Sequence, residues 1–193
     1  MSETEIIDKL KQGNEAAFKQ LVDNYRQMVV NTCFGLLHNT HDAEDVAQDV
    51  FIEVFRSVEN FRADSKMSTW LYRIAVNRSL NFIRDNKKRK WFQSFDDAVD
   101  AKKEELSRLS SSDSENPESE LENSQRALLL HEAIDSLPEN QRIAFTLNKY
   151  EDLAYKEISE VMNLSVSSVE SLIHRAKKNL QKKLHRCYQK KCI

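Results

Sequence analysis

Two glycines (Gly13 and Gly35) and two prolines (Pro117 and Pro138) are all the backbone punctuation that this 193-residue chain contains. Sheets need frequent tight turns, and tight turns draw on Gly for positive φ and on Pro for a preset φ. A chain poor in both, with few stretches that alternate apolar and polar residues, must be built from helices. The expected fold class is all-α. At roughly 100–200 residues per domain, the length suits two small helical domains.

The apolar spacing places the helices. Over 15–37, Phe18, Leu21, Val22, Tyr25, Val29, Cys33 and Leu36 recur every three or four residues, one buried stripe. A second helix is expected to start at Thr40 as N-cap, with Asp42, Glu44 and Asp45 in its first turns and Ala47, Val50, Phe51, Val54, Phe55 and Val58 facing inward. After a polar interruption over 60–68, a third helix is expected over 69–86, with Leu71, Ile74, Ala75, Arg78 and Phe82 along one side. Three packed helices would make the first domain, residues 1–93. Helical patterns resume over 124–136, 139–149, 155–162 and 165–184, a four-helix second domain over 124–193.

Between them, residues 94–123 carry Ser, Asp, Glu and Asn with scarcely an apolar side chain, too little to offset the entropy of ordering. They are expected to form an acidic flexible linker, with a short helix over 102–109. Charge follows the same division. The net charge of −2 splits into −6 over 1–65, +7 over 66–93, −7 over 94–124, −4 over 125–173 and +8 over 174–193. Two basic blocks, each ending a helical region, suit a protein that meets a polyanion at two places, although solvated helix ends produce such runs as well.

The strongest local pattern lies over 155–173, where Ile158, Met162, Leu164, Val169 and Leu172 take the apolar positions of a helix-turn-helix. Asn163 stands at its tight turn, where Gly is commonest, and Asn tolerates φ > 0 better than most residues. Ser165 is placed to cap the second helix, which would turn Val169, Ile173, Ala176 and Leu180 inward. Ser167, Ser168, Ser171, His174, Arg175 and Lys178 would then be left for a major groove. In the first domain, Trp70, Arg73, Asn77, Asn81, Arg84 and Lys88 fall on one helical face. Aromatic planes, amides and cations together suit single-stranded DNA, where bases stack, edges are read and phosphates are followed. An ordinary solvated face with Trp70 turned into the core would show the same spacing.

Other classes find less support. Cys33, Cys187 and Cys192 lack metal-ligand spacing with any histidine and read as reduced thiols, with no metal or cofactor expected. No apolar run approaches the roughly 20 residues that span a bilayer, and the acidic start lacks a signal-peptide n-region. A cytoplasmic protein without membrane insertion is expected. The chain has no phosphate-cradling Gly loop, and His38, His41, His131, His174 and His185 are too scattered to position a base beside a nucleophile, so no enzyme is expected. From the residues alone, a dimeric helix-turn-helix repressor or activator and a helical adaptor without DNA stay open.

The motifs carry a resemblance as well. The run Asp42-Ala-Glu-Asp-Val-Ala-Gln-Asp-Val-Phe51, then Phe61-Arg62, Thr69-Trp-Leu-Tyr-Arg-Ile-Ala-Val-Asn77, Arg84 and Lys87-Lys-Arg89 resembles region 2 of extracytoplasmic-function (ECF) RNA polymerase sigma factors. Leu137-Pro-Glu-Asn-Gln-Arg142, Tyr155-Lys-Glu-Ile158 and Ser171-Leu-Ile-His-Arg-Ala176 resemble their region 4. The resemblance implies a promoter-specific initiation factor that works with core RNA polymerase and promoter DNA. It implies docking on the polymerase clamp through Asp42, Glu44, Asp45, Gln48 and Asp49. It also implies minus-ten strand binding through Phe61, Arg62, Ser65, Ser68, Trp70, Arg73, Asn77, Asn81, Arg84 and Lys88, with a base pocket over 61–68. Minus-thirty-five reading would fall to Ser167, Ser168, Ser171, His174, Arg175 and Lys178. Ser168 and Glu170 depart from the family's usual Thr and basic residue, which bears on the promoter sequence preferred. An anti-sigma factor, membrane-anchored in many cases, is the further partner the resemblance implies.

Overall fold

The computed structural model describes residues 3–61, 65–93 and 117–189. Eight helices follow one another: α1 (Glu3–Lys11), α2 (Glu15–Leu37), α3 (Thr40–Ser57), α4 (Met67–Gln93), α5 (Pro117–Asp135), α6 (Glu139–Lys149), α7 (Tyr155–Met162) and α8 (Val166–Gln189), with a 3-10 turn at Val58–Asn60. No strand occurs among the described residues. The short helix expected over 102–109 lies outside them.

Side-chain caps set several boundaries. The Asn14 amide oxygen accepts the Ala17 N–H at 3.0 Å to start α2, which ends where His38 turns left-handed at φ 55. Asn39, not Thr40, caps α3. Its extended backbone leaves Oδ1 to accept the Asp42 N–H at 3.0 Å, while Thr40 is already helical. Helix α4 starts two residues earlier than the spacing predicts, because the carboxylate of Glu3 accepts the Met67 N–H at 2.8 Å. Helix α5 starts at Pro117, before the expected position 124, and proline suits a first helical turn because the N–H it lacks has no intrahelical partner there.

The first domain has four helices where the spacing predicted three. Ile6, Ile7 and Leu10 of α1 are buried against the stripes of α2, α3 and α4, and Lys11 donates to the Phe61 carbonyl at 2.9 Å. A nine-residue segment is too short for its periodicity to stand out, and it is packing that makes it a helix. Phe55, expected inside, is 50% exposed and meets Phe18 edge-on at 5.4 Å. In the second domain Ala133, Ile134 and Leu137 pack against Ala176 and Leu180 of α8.

The two domains share a core. Leu36 of α2 and Tyr72, Val76 and Leu80 of α4 are buried with Ile143, Ala144 and Leu147 of α6 and Ile158 and Val161 of α7. Gly35 makes the approach close: its carbonyl accepts from Thr146 Oγ1 at 3.3 Å, and a β-carbon on it would lie 2.7 Å from the Thr146 methyl. At one end of the seam the rings of His38 and His131 stack at 4.1 Å. Beside them Asp135 lies 3.5 Å from His38 and accepts from Arg142 at 3.2 Å.

Candidate nucleic-acid and polymerase interfaces

Three surfaces follow from this packing. On α3, Val46, Ala47, Val50 and Val54 fill the core, and the helical period therefore turns Glu44, Asp45, Gln48 and Asp49 to solvent, with Asp42 half-buried near the cap. Ile52 (46% exposed) and Phe55 (50%) prolong that acidic face with apolar surface. The sequence reading missed both residues. Their spacing held the signal, Ile52 lying three and four residues beyond Asp49 and Gln48 and Phe55 three beyond Ile52, because large apolar groups at the end of an acidic face serve a partner better than a monomer.

The second surface is one side of α4. Arg73, Asn77, Asn81 and Arg84 line a cleft of about 520 Å³ whose other wall is Glu139, Asn140 and Ile143 of α6, Val161 and Met162 of α7 and the turn residue Asn163. Asn77, Asn81, Arg84 and Lys88 are exposed. Trp70 is not in that cleft; it is half-buried, with its ring 4.8 Å from that of Phe61. Phe61 itself is 5% exposed and belongs to the first core, so the expected pocket over 61–68 does not have this ring as an open wall. Its burial follows from the 3-10 turn, which returns the chain onto α1, where Phe61 donates its N–H to Val58 and accepts from Lys11. Ser65 and Ser68 are half-buried, and Arg62 lies outside the described residues.

The third surface is the helix-turn-helix. Asn163 takes the left-handed turn at φ 52, and the Ser165 hydroxyl accepts the Ser168 N–H at 3.2 Å, capping α8 as its position predicted. Val169, Ile173, Ala176 and Leu180 are buried, while Ser167, Ser168, Ser171, His174, Arg175 and Lys178 are all exposed. Two apolar positions differ from expectation. Leu164, just past the left-handed turn at Asn163, is 38% exposed, whereas Val161, before it, is buried in the core.

The model of the family described as Sigma-70 region 2 matches residues 21–89, and that of Sigma-70, region 4 matches residues 127–180. The chain is 34% identical over 182 residues to the RNA polymerase sigma-H factor of Pseudomonas aeruginosa, covering 93% of this chain and 92% of that one. It is 33% identical over 180 residues to the ECF RNA polymerase sigma factor SigW of Bacillus subtilis, covering 92% and 94%. The chain belongs to the ECF RNA polymerase sigma factors. Among solved structures, CnrH in complex with the cytosolic domain of CnrY shares the fold at a TM-score of 0.65 and 21% identity, over 95% of this chain and 97% of that one. As an ECF sigma factor with regions 2 and 4, the protein binds core RNA polymerase and promoter DNA and directs transcription initiation.

Electrostatics across the region 2–region 4 seam are set by burial. Desolvation pushes the Glu151 carboxyl up to about 7, a rise only partly offset by the hydrogen bond it accepts from the Tyr72 hydroxyl at 3.2 Å. Burial, with the nearby Glu151 charge, raises the Tyr72 phenol as well. Burial likewise pushes the Cys33 thiol up to about 11, which keeps it protonated and unreactive at neutral pH. Burial and the neighbouring His38 lower His131. Burial alone would raise Asp135, but hydrogen bonds and charge from His38 and Arg142 outweigh it and hold the carboxyl below the ordinary range. No group of three or more His, Cys, Asp or Glu side chains suited to a metal ion occurs among the described residues. None of the helices they form is long and apolar enough to cross a membrane.

Proposed function

We propose a division of labour among the three surfaces. Residues 1–93 act as region 2 and 124–193 as region 4; the connection over 94–123 is helical from Pro117 on. Asp42, Glu44, Asp45, Gln48 and Asp49, with Ile52 and Phe55, dock on the polymerase clamp. Arg73, Asn77, Asn81, Arg84 and Lys88 hold the displaced strand of the minus-ten element, with Trp70 at its edge. Ser167, Ser168, Ser171, His174, Arg175 and Lys178 read the minus-thirty-five duplex from the major groove. The factor catalyses nothing itself and works in the cytoplasm beside polymerase. An anti-sigma partner that covers regions 2 and 4 is its inhibitor, a reading supported by one structure of similar fold, the sigma factor RpoE from Bartonella quintana, solved in complex with the anti-sigma factor NepR.

The observation that carries this reading is the row of exposed amide and guanidinium groups on α4, inside the segment matched to region 2, whose opposite face is core. Amides at Asn77 and Asn81 offer both donors and acceptors to base edges, and the arginines offer cations to phosphates. Run-off transcription with core enzyme tests it. Asn77→Ala is expected to reduce permanganate-reactive open complex on duplex promoters more than on pre-melted ones. Asp45→Lys with Asp49→Lys is expected to abolish co-purification with core enzyme while the helical circular dichroism signal survives. Unchanged footprints or unchanged co-purification overturns the corresponding assignment.

A further inference from the structure

Helix α1 precedes residue 21, where the match to region 2 begins, and the functions assigned above leave it idle. It is nevertheless fastened at both ends. Glu3, its first residue, accepts the Met67 N–H at 2.8 Å, and Lys11, its last, donates from Nζ to the Phe61 carbonyl at 2.9 Å. Phe61 and Met67 are the two ends of the stretch that joins the 3-10 turn to α4.

The start of α4 needs such help. Lys66 takes the N-cap position, since its carbonyl accepts the Trp70 N–H at 3.2 Å. A lysine side chain has no acceptor to offer the free N–H groups there, and it brings a cation to the positive end of the helix dipole. Glu3 supplies both the oxygen and the opposite charge. Burial, then the charge of Glu3 and a hydrogen bond to it, raise the Tyr25 phenol, so the same carboxylate also rests against α2. Both attachments lead to Trp70. It ends the first turn of α4, three residues after the N–H that Glu3 holds, and its ring lies 4.8 Å from that of Phe61, whose carbonyl Lys11 holds. Phe61 and Met67 are buried in the first core, while Trp70 stays half-buried.

We propose that α1 is a strut that fixes the Trp70 edge of the strand-binding face, with Glu3 and Lys11 as positioning residues for the minus-ten strand. The inference rests on the assignment of the α4 face, with Trp70 at its edge, to that strand. Eight steps of about 1.5 Å keep the two ends of α1 roughly 12 Å apart, which sets how Phe61 and Met67 are held. A binding group acts only when kept within about 0.5 Å of its productive place, and a ring that stacks on a base is such a group. Packing alone would account for the buried Ile6, Ile7 and Leu10. It would not account for an exposed acid and an exposed base that reach the backbone on either side of one aromatic pair.

The test uses holoenzyme reconstituted from core RNA polymerase and the full chain, with fluorescein-labelled fork DNA whose single strand is randomised over the minus-ten segment. Glu3→Ala and Lys11→Met each cut one attachment and leave the buried stripe intact. Losing a base from an aromatic platform costs on the order of fivefold or more in affinity. Each variant is expected to keep the helical circular dichroism signal and co-purification with core enzyme and to weaken fork binding by about that factor. Glu3→Gln keeps an acceptor oxygen and should bind close to wild type. Should Glu3→Ala lose helical signal, Lys11→Met, at the far end from the cap, carries the same test. Trp70→Ala sets the reference loss, and in its background neither α1 substitution should weaken binding further, because the strut has nothing left to position. If the α1 variants bind like wild type while Trp70→Ala is weakened, the strut is overturned and the strand assignment stands. Full additional losses on top of Trp70→Ala also overturn it, since they mark a purely structural role. No loss from Trp70→Ala itself removes Trp70 from the strand-binding face, and the strut with it.

Discussion

Base reading and phosphate attraction should be separable along α8, because both sit on one straight rod. Helix α8 runs over Val166–Gln189, and its outer face is exposed with the domains closed, so the intact chain serves for measurement. At about 1.5 Å per residue and 100° per step, Lys182 lies roughly 10 Å beyond Arg175 and Arg186 roughly 16 Å beyond it, all within about 20° of one line along the helix. A major groove is about 12 Å wide. With Arg175 near the groove floor, Lys182 is at its rim and Arg186 has left it for the phosphates. Arg175→Ala should therefore cost about 1–3 kcal/mol on the preferred duplex and relax the preference at one base pair. Lys182→Ala should weaken all duplexes about equally and lower the salt slope by about 1. Titrating the intact chain against randomised duplexes at several salt concentrations measures both effects. Equal, sequence-blind losses from the two substitutions would refute the reasoning, as would no effect of Lys182→Ala.

Three further outcomes follow from the packing. Ile158 is fully buried where the domain seam meets the helix-turn-helix, so Ile158→Ala should cost about 2–5 kcal/mol, read as a lowered denaturation midpoint. Asn163 holds φ 52, so Asn163→Gly should be neutral or slightly stabilising, whereas Asn163→Val should destabilise by at least about 1–2 kcal/mol; equal Tm values for the two would contradict the turn geometry. Glu151, hydrogen-bonded to Tyr72 and followed by Asp152, is held at about 7 by burial against 4.5 in the open chain. Its folded form binds the proton more tightly, so its contribution is complete below pH 4.5 and is lost as pH rises through about 7. The Tm advantage of Glu151→Gln over wild type should therefore grow between pH 5 and pH 8. His131 slopes the other way, since its lowered value favours the fold above the ordinary histidine value and loses that support as pH falls; it is common to both proteins and cancels in the difference.

The sequence by itself determined much of this protein. The scarcity of Gly and Pro dictated helices, and a spacing of three and four set α2 and α6 to the residue, because a helix long enough to repeat its stripe announces its own bounds. The helix-turn-helix was legible for a local reason: the Asn163 turn and the Ser165 cap are contacts within a few residues of the chain. Tertiary structure decided the rest. Helix α1 exists because a core was there to receive Ile6, Ile7 and Leu10, and Phe61 is buried because the 3-10 turn carries it back onto that core. The fate of Leu36 gives the general reason. Periodicity placed it correctly on the buried stripe of α2, yet its neighbours are Ile143, Leu147 and Ile158 of the other domain. A hydrophobic pattern states that a face is covered, because burial is non-directional and any apolar surface satisfies it. Which surface covers it, and hence that region 4 closes over the arginines of α4, depends on residues more than fifty positions apart meeting in space.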